Sequence, residues 1–379
     1  MKETISLLHP FSAKSVGLKP TDLYYFHSKP HENALRGLQR KGYGVAIDYF
    51  TSSFFPYAKT IKGVKKRFWP VSWPILKKRH AWKKQHSIFN YLYTSVMPST
   101  LTIINMSGHG SAYCFNLAAL LKKQNKPYIA MIGGMHMGNS KDVLNYYNNA
   151  NHIIVHTQVQ KDILKQTNGF RDLEIKVMPL GVDTSLFKPR FNVKEKSSLL
   201  YVGRISRLKQ IECAIDSLVY LNKKGVTGVN LTIIGPISDT EYHKELQEKV
   251  RSLGLESQIH FKGPLKQENL IPYYQSATLL LMPSKHESFG MVMVEAMGCG
   301  TPVVAFRGSG GPDEIVTNNV TGVLCEDVNY SQQVYNLLVN KKVLDDMSRS
   351  AVLDVMQHWS LDYTAHCLED SVKFALEKF

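Results

Sequence analysis

Cysteine is scarce and scattered in this chain of 379 residues. Its five cysteines (Cys114, Cys213, Cys299, Cys325, Cys367) form no CxxC pair. That spacing argues against a zinc site and against a disulfide framework, and it points to a reducing compartment. Long apolar runs are missing as well. Nothing approaches the roughly 18 consecutive apolar residues of a membrane-spanning helix. Residues 1–10 are too short and too polar to read as a signal peptide, so a cytoplasmic location is expected. With 44% hydrophobic and 20% charged residues, the composition excludes a disordered chain, a collagen and a coiled coil. At about 150 residues per domain, the length suggests two domains.

Acidic residues are the next shortage. None occurs between Asp48 and Asp142, a gap that holds 14 Lys and Arg. Residues 1–190 hold 27 Lys and Arg against 9 Asp and Glu, whereas residues 191–379 hold 19 against 22. The formal net charge of +15 therefore belongs to the first half. Such asymmetry points to an anionic partner on that half, either a membrane surface or a nucleic acid.

Short β-branched runs alternate with helical patterns, the sequence form of βα units. In the first half, strands are expected at 44–49, 101–105, 127–132, 152–156 and 174–178. Helices are expected at 31–41, 112–123, 141–148 and 158–166. In the second half, strands are expected at 198–202, 230–234, 259–261, 278–282 and 302–306, with helices at 210–223, 241–253 and 291–298. Gly42 and Gly254 are placed as helix stops. The polar stretch 188–198 separates the two sets, giving domains 1–190 and 191–361, with 362–379 packing on the first.

The densest chemical signal is 282–305, MPSKHESFGMVMVEAMGCGTPVVA. A buried strand ends at Pro283, a polar loop carries Glu287, and Gly290 opens a helix. The free N–H groups of such a helix start form an anion site, most often for phosphate. Glu295 lies inside that helix, eight residues after Glu287. Upstream, 199–210 reads as a strand, a turn at Gly203, then cations. Arg204 and Lys209 leave the carboxyl end of that strand, where ligands collect in open α/β sheets. Arg offers a planar fork to phosphate oxygens and Lys a point charge.

These segments resemble the retaining glycosyltransferases of family 4, which have the GT-B fold of two Rossmann-like domains facing a cleft. Val177–Pro189 resembles the family's PNGVD…F.P segment. Val202-Gly-Arg…Lys209 resembles its GR…KG segment, with Gln210 in place of the usual Gly. Gly263 matches an F.G turn, Glu287…Glu295 an E-x7-E motif, and Gly310-Gly311-Pro-Asp-Glu-Ile-Val a GG..EIV segment. The resemblance implies a nucleotide-sugar site in the second domain. Arg204 and Lys209, beside Gly203, would bind the diphosphate. The N–H groups near Phe289, Gly290, Met291 and Val292 would hold the distal phosphate and the sugar hydroxyls. Glu287 would sit beside the donor sugar, Glu295 would take the ribose hydroxyls, and Gly263, Pro264 and Leu265 would line the base. No metal and no other cofactor are implied.

The first domain departs from the family. Its first loop has one glycine, Gly17, where relatives carry a pair, and Gly17 stands as the phosphate-loop candidate. A family histidine falls at His136, with His109 as the competitor. The basic stretch 59–84 holds ten Lys or Arg and three tryptophans, Trp69, Trp73 and Trp82. Lys65, Lys66, Arg67, Lys77, Lys78 and Arg79 would face an anionic membrane there. The expected activity is metal-independent, retaining hexosyl transfer from a UDP-sugar, or next a GDP-sugar, to an acceptor hydroxyl. The acceptor class is a glycolipid, polysaccharide or cell-envelope glycan. A sugar-nucleotide epimerase of the same fold and a basic nucleic-acid-binding protein are the alternatives. No oligomeric state follows from the sequence.

Overall fold

Apolar strands and helices capped by Ser, Thr or Asp build two α/β units in the computed structural model, which describes residues 3–25, 27, 29–72, 82–106, 110–133, 137–190 and 198–378. One unit comprises Met1–Leu180 and Leu361–Phe379, and the other Gly181–Ser360.

Among the described residues, the first unit has an eight-stranded sheet. Its strands are β1 (Thr4–Ser12), β2 (Gly44–Thr51), β3 (Tyr57–Ile61), β4 (Val64–Pro70), β5 (Leu101–Met106), β6 (Tyr128–Ile132), β7 (His152–Val155) and β8 (Ile175–Val177). The order is β3-β4-β2-β1-β5-β6-β7-β8. All pairings are parallel except the β3–β4 hairpin. Helices Ala112–Lys123, Lys141–Asn148 and Gln158–Gln166 start at Ser111, Ser140 and Thr157, whose hydroxyls accept from backbone N–H groups of the first turn.

The hairpin corrects the expectation that Lys66 and Arg67, with Trp69 beside them, face an anionic membrane. β4 lies beside β2, inside the sheet. Lys66 is 0% exposed; its Nζ lies 2.7 Å from a Glu32 carboxylate oxygen and donates to the Leu23 and Tyr24 carbonyls. Arg67 grips Asp48 through Nε and Nη2 at 2.7 and 2.6 Å, and buried Trp69 donates its indole N–H to the same carboxylate at 2.6 Å. The acid-free gap is thus answered across the sheet by acids that precede it. Trp73, Lys77, Lys78 and Arg79 lie outside the described residues.

The domain boundary falls ten residues earlier than expected. Val182 bridges Ser360, and its N–H donates to the Trp359 carbonyl at 2.8 Å. Gln275 donates to the Lys188 carbonyl at 2.9 Å. These bonds build 181–190 into the second unit, so the polar run that follows is not the point of division. The C-terminal helix Leu361–Glu377 packs on helix Lys29–Arg40. A Cβ on Gly37 would come 3.2 Å from that of Ala365, and Glu369 pairs with Lys41 and Lys373.

The second unit has six strands among the described residues: β9 (Ser198–Val202), β10 (Asn230–Ile234), β11 (Ile259–Gly263), β12 (Leu279–Met282), β13 (Val303–Phe306) and β14 (Gly322–Cys325). The order is β11-β10-β9-β12-β13-β14, all parallel. The inner strands β9, β12 and β13 are apolar on both faces, as helix-covered parallel strands must be, whereas edge strand β11 exposes His260 and Lys262. Each buried Leu, Ile or Val there contributes about 1.5–3 kcal/mol.

Candidate active site

The second sheet reverses its order at β9, which pairs with β10 on one side and β12 on the other. In open parallel sheets the crevice outside the carboxyl ends at such a switch point holds the ligand. The loops leaving β9 and β12 are 203–210 and 283–290. They carry Gly203, Arg204, Lys209, Glu287, Phe289 and Gly290.

The first loop is held by close backbone crossings. Gly203 N–H donates to the Ile234 carbonyl at 2.9 Å, and a Cβ on Gly235 would fall 1.8 Å from the Gly203 oxygen. Only glycine permits that approach. Tyr201 donates its hydroxyl to the Arg204 carbonyl at 3.0 Å, and burial raises the phenol pKa so that it stays a donor. Arg204 is exposed on this turn. Arg207 is turned away, with Nη1 donating to Glu245 at 2.8 Å. Lys209 instead forms an ion pair with Glu287, 78 residues later. Gln210 follows in the left-handed region, φ 46° and ψ 47°, which explains why the family motif has glycine there.

The second loop ends at Gly290, φ 98°, the N-cap of helix Met291–Gly298. No side chain caps this helix, so the Met291 and Val292 N–H groups keep the orphan character of a first turn. A Cβ on Gly290 would meet Glu287 Cγ at 3.3 Å. Glycine therefore lets the glutamate lie against the helix start. Glu287 N–H donates to the Ser309 carbonyl at 2.8 Å, and Gly311 N–H donates to the Glu287 carbonyl at 2.7 Å. A Cβ on Gly311 would sit 2.0 Å from the Phe289 oxygen. Sequence reasoning assigned no role to Ser309, Gly310 or Gly311; the glycine pair is the signal that marks them.

Glu295 has other partners. It is 4% exposed and accepts from Gln267 Nε2 at 2.5 Å and from the Tyr274 hydroxyl at 2.8 Å. Burial, then the charge of Glu295, raises the Tyr274 pKa, so the hydroxyl remains a donor. Gln267 opens the helix two residues after the loop of Gly263, Pro264 and Leu265. Gly263 has φ 68°, and its carbonyl accepts from Gly235 N–H at 3.0 Å. Glu295 is tied in this way to the turn after β11, whereas Glu287, on the loop after β12, pairs with Lys209 of the β9 turn.

In the first unit, Gly17 closes a short turn, Ala13–Val16, at the carboxyl end of β1; its φ is 73° and nothing lies within 4 Å of where a Cβ would be. Lys14, Lys19, Phe50, Ser52 and Ser53 line a cavity of about 510 Å³ beside it. His136 and His109 lie outside the described residues. Among the described residues, no group of three or more His, Cys, Asp or Glu is placed to hold a metal ion.

The two parallel-sheet domains define the class as GT-B. Sucrose-phosphate synthase from Thermosynechococcus elongatus has the same fold, with a TM-score of 0.76 at 16% identity over 100% of both chains. So does Anabaena HepE, solved with UDP, with a TM-score of 0.73 at 18% identity over 98% of this chain and 100% of that one. Residues 183–352 match the family Glycosyl transferases group 1. D-inositol 3-phosphate glycosyltransferase of Nocardiopsis dassonvillei is 31% identical over 50% of this chain and 48% of its own length. Mannosylfructose-phosphate synthase of Agrobacterium fabrum is 32% identical over 42% and 38%. The chain spans about half the length of the first of these relatives. The names are those of transferases and synthases, and they give the epimerase alternative no support.

Proposed function

We propose that the chain is a retaining hexosyltransferase that moves a sugar from a nucleoside-diphosphate sugar to an acceptor hydroxyl. The observation that carries this reading is the Lys209–Glu287 pair at the β9–β12 switch point, beside the uncapped helix start at Gly290. The C1–phosphate bond breaks as the acceptor oxygen bonds C1 on the same face, and the acceptor proton passes to the departing diphosphate. Arg204, Lys209 and the Met291 and Val292 N–H groups stabilise the charge that grows on the leaving group. Two cations and a helix start supply what a divalent metal would supply, so no metal enters the scheme. Glu287 lies beside the sugar, Glu295 takes the ribose hydroxyls, and the turn at Gly263 lines the base. His136, or His109, is the first-domain histidine that serves the reacting sugar, Gly17 is the phosphate-loop candidate, and the first domain holds the acceptor.

UDP is the preferred nucleotide, in keeping with the UDP held by HepE; GDP is next. The acceptor is a glycan or a lipid-linked saccharide of the cell envelope. Peripheral contact with an anionic membrane, at its cytoplasmic face, belongs to the same reading. Its support is the charge of the first half, with Lys66 and Trp69 withdrawn from the contact because they are buried, and Arg67 because it is paired with Asp48. No helix among the described residues is long and apolar enough to cross a membrane. A thermal-shift panel of UDP- and GDP-sugars tests the donor, since a ligand that binds only the folded state raises its stability. A shift with one nucleotide-sugar series, and turnover that survives a chelator, is the expected result. No shift with any of them contradicts the reading.

A further inference from the structure

Helix Ile88–Val96 turns its polar side inward. Asn90 is buried and accepts from the Tyr113 hydroxyl, while Tyr93 packs on Trp69 at 4.9 Å between ring centroids and accepts from Arg67 at 2.9 Å. Ile88, Leu92 and Val96, spaced four residues apart, face outward at 50%, 56% and 79% exposure. An ordinary surface helix buries that stripe. A contiguous apolar face left in solvent marks an interaction site.

The stripe borders a groove of about 720 Å³ between this helix and helix Ala112–Lys123. That volume lies within the roughly 300–1,000 Å³ of small-molecule pockets. Ile88, Leu92, Ala119 and Leu120 supply apolar wall, and Lys84 and Lys123 supply cations. Both lysines are exposed, and the acid-free run from Asp48 to Asp142 leaves no carboxylate along the groove's own sequence to neutralise them.

We propose that this groove binds an anionic amphiphile, with its apolar tail along Ile88, Leu92 and Ala119 and its phosphate head between Lys84 and Lys123. The ligand class is a lipid phosphate, matched by an apolar wall and a cationic rim on one cavity. The inference deepens the reading of the first domain as the membrane-facing half and rests on it. It replaces Trp69 and Lys66, which are interior, with a docking site that is open.

Calorimetry on the full chain tests it with dodecyl phosphate below its micelle concentration, dodecyl maltoside and inorganic phosphate. Two lysines near an anionic head should make dodecyl phosphate bind about tenfold or more tighter than the maltoside. Inorganic phosphate, lacking the tail, should give no measurable binding. Lys84→Gln with Lys123→Gln should erase the preference between the amphiphiles. Ala119→Trp, which fills the groove, and Leu92→Asp, which puts a carboxylate in it, should each weaken dodecyl phosphate about tenfold or more. All four positions are exposed, and an unchanged thermal midpoint and UDP affinity confirm that each variant is folded. Equal affinity for the two amphiphiles, or undiminished binding by Ala119→Trp or Leu92→Asp, overturns the proposal. Co-sedimentation with anionic vesicles separates the two readings. Sedimentation without dodecyl phosphate binding removes the groove and keeps the surface contact. Dodecyl phosphate binding without sedimentation keeps the groove and removes the surface contact.

Discussion

In the second domain Lys209 and Glu287 meet on two loops at the carboxyl edge of the sheet; in the first, Lys66 and Glu32 meet in the interior. Both are lysine–glutamate pairs, yet their surroundings give them different work. The interior pair is surrounded by protein, and Lys66 finds further acceptors in two backbone carbonyls. Its desolvation is already compensated, so it has nothing left to offer a ligand. The edge pair sits where strand order reverses, next to Arg204 and an uncapped helix start. In the proposed function, a diphosphate arriving there draws the lysine toward it. A count of cations along the sequence does not distinguish these two situations, and the first half is basic without presenting all of that charge.

The largest effect should come from splitting the interior pair. Glu32→Ala leaves the Lys66 ammonium buried without its counter-charge, and should cost about 3–5 kcal/mol of stability. Urea unfolding checks this; a loss below about 1 kcal/mol would make the pair no more than a surface contact. At the edge, Lys209→Ala or Arg204→Ala should leave the fold intact and lower turnover about 10²-fold or more. Steady-state transfer assays read this, and wild-type turnover in both variants would remove the leaving-group role.

The histidines sharpen the contrast through pH. Burial lowers the pKa of His9, His31 and His156, and brings His27 down to about 4 and His152 to about 3. All five are in the first domain. His9 stacks on Tyr49 at 5.0 Å, near His27 and His31, and neighbouring histidines and Lys66 reinforce the effect of burial on His9. Below the unfolded value of about 6.5 the unfolded chain binds protons that the folded chain refuses. Stability should therefore fall from pH 6.5 toward pH 4, by up to about 1.4 kcal/mol per pH unit for each such histidine. Urea midpoints at pH 7 and pH 5 measure it, and equal midpoints would contradict it. The smallest effect is a gain: Gln210→Gly relieves a left-handed residue and should stabilise by about 1 kcal/mol. A lower unfolding midpoint in that variant would show that the glutamine side chain holds the turn.

Legibility follows the same division. Helices Ala112–Lys123, Lys141–Asn148, Gln158–Gln166 and Met291–Gly298, and strands Ser198–Val202 and Asn230–Ile234, coincide with the expected ranges. Their caps are local, and their apolar pattern agrees with burial. β1 was missed because Pro10 and the polar residues after it read as a loop. The β3–β4 hairpin was hidden by the consecutive cations Lys65, Lys66 and Arg67, which read as a basic stretch although Lys66 is buried. Helix Ile88–Val96 was not among the expected elements. At the site, the residues of each loop were visible as motifs. The Lys209–Glu287 pair and the hold of Ser309 and Gly311 on Glu287 were not, because sheet topology joins residues that no sequence spacing relates.

The two glutamates of the second domain give the most direct test of the central claim. Calorimetric titration of free UDP and GDP into the wild type, Glu287→Ala and Glu295→Ala separates them. Glu295 is tied through Gln267 to the Gly263 turn, and Glu287 through Lys209 to the β9 turn. The account predicts that Glu295→Ala weakens nucleotide binding about tenfold or more, the loss of a charge-assisted hydrogen bond. Glu287→Ala should bind free nucleotide as the wild type does and lose transfer. Equal nucleotide affinity in the wild type and Glu295→Ala would contradict the placement of the donor.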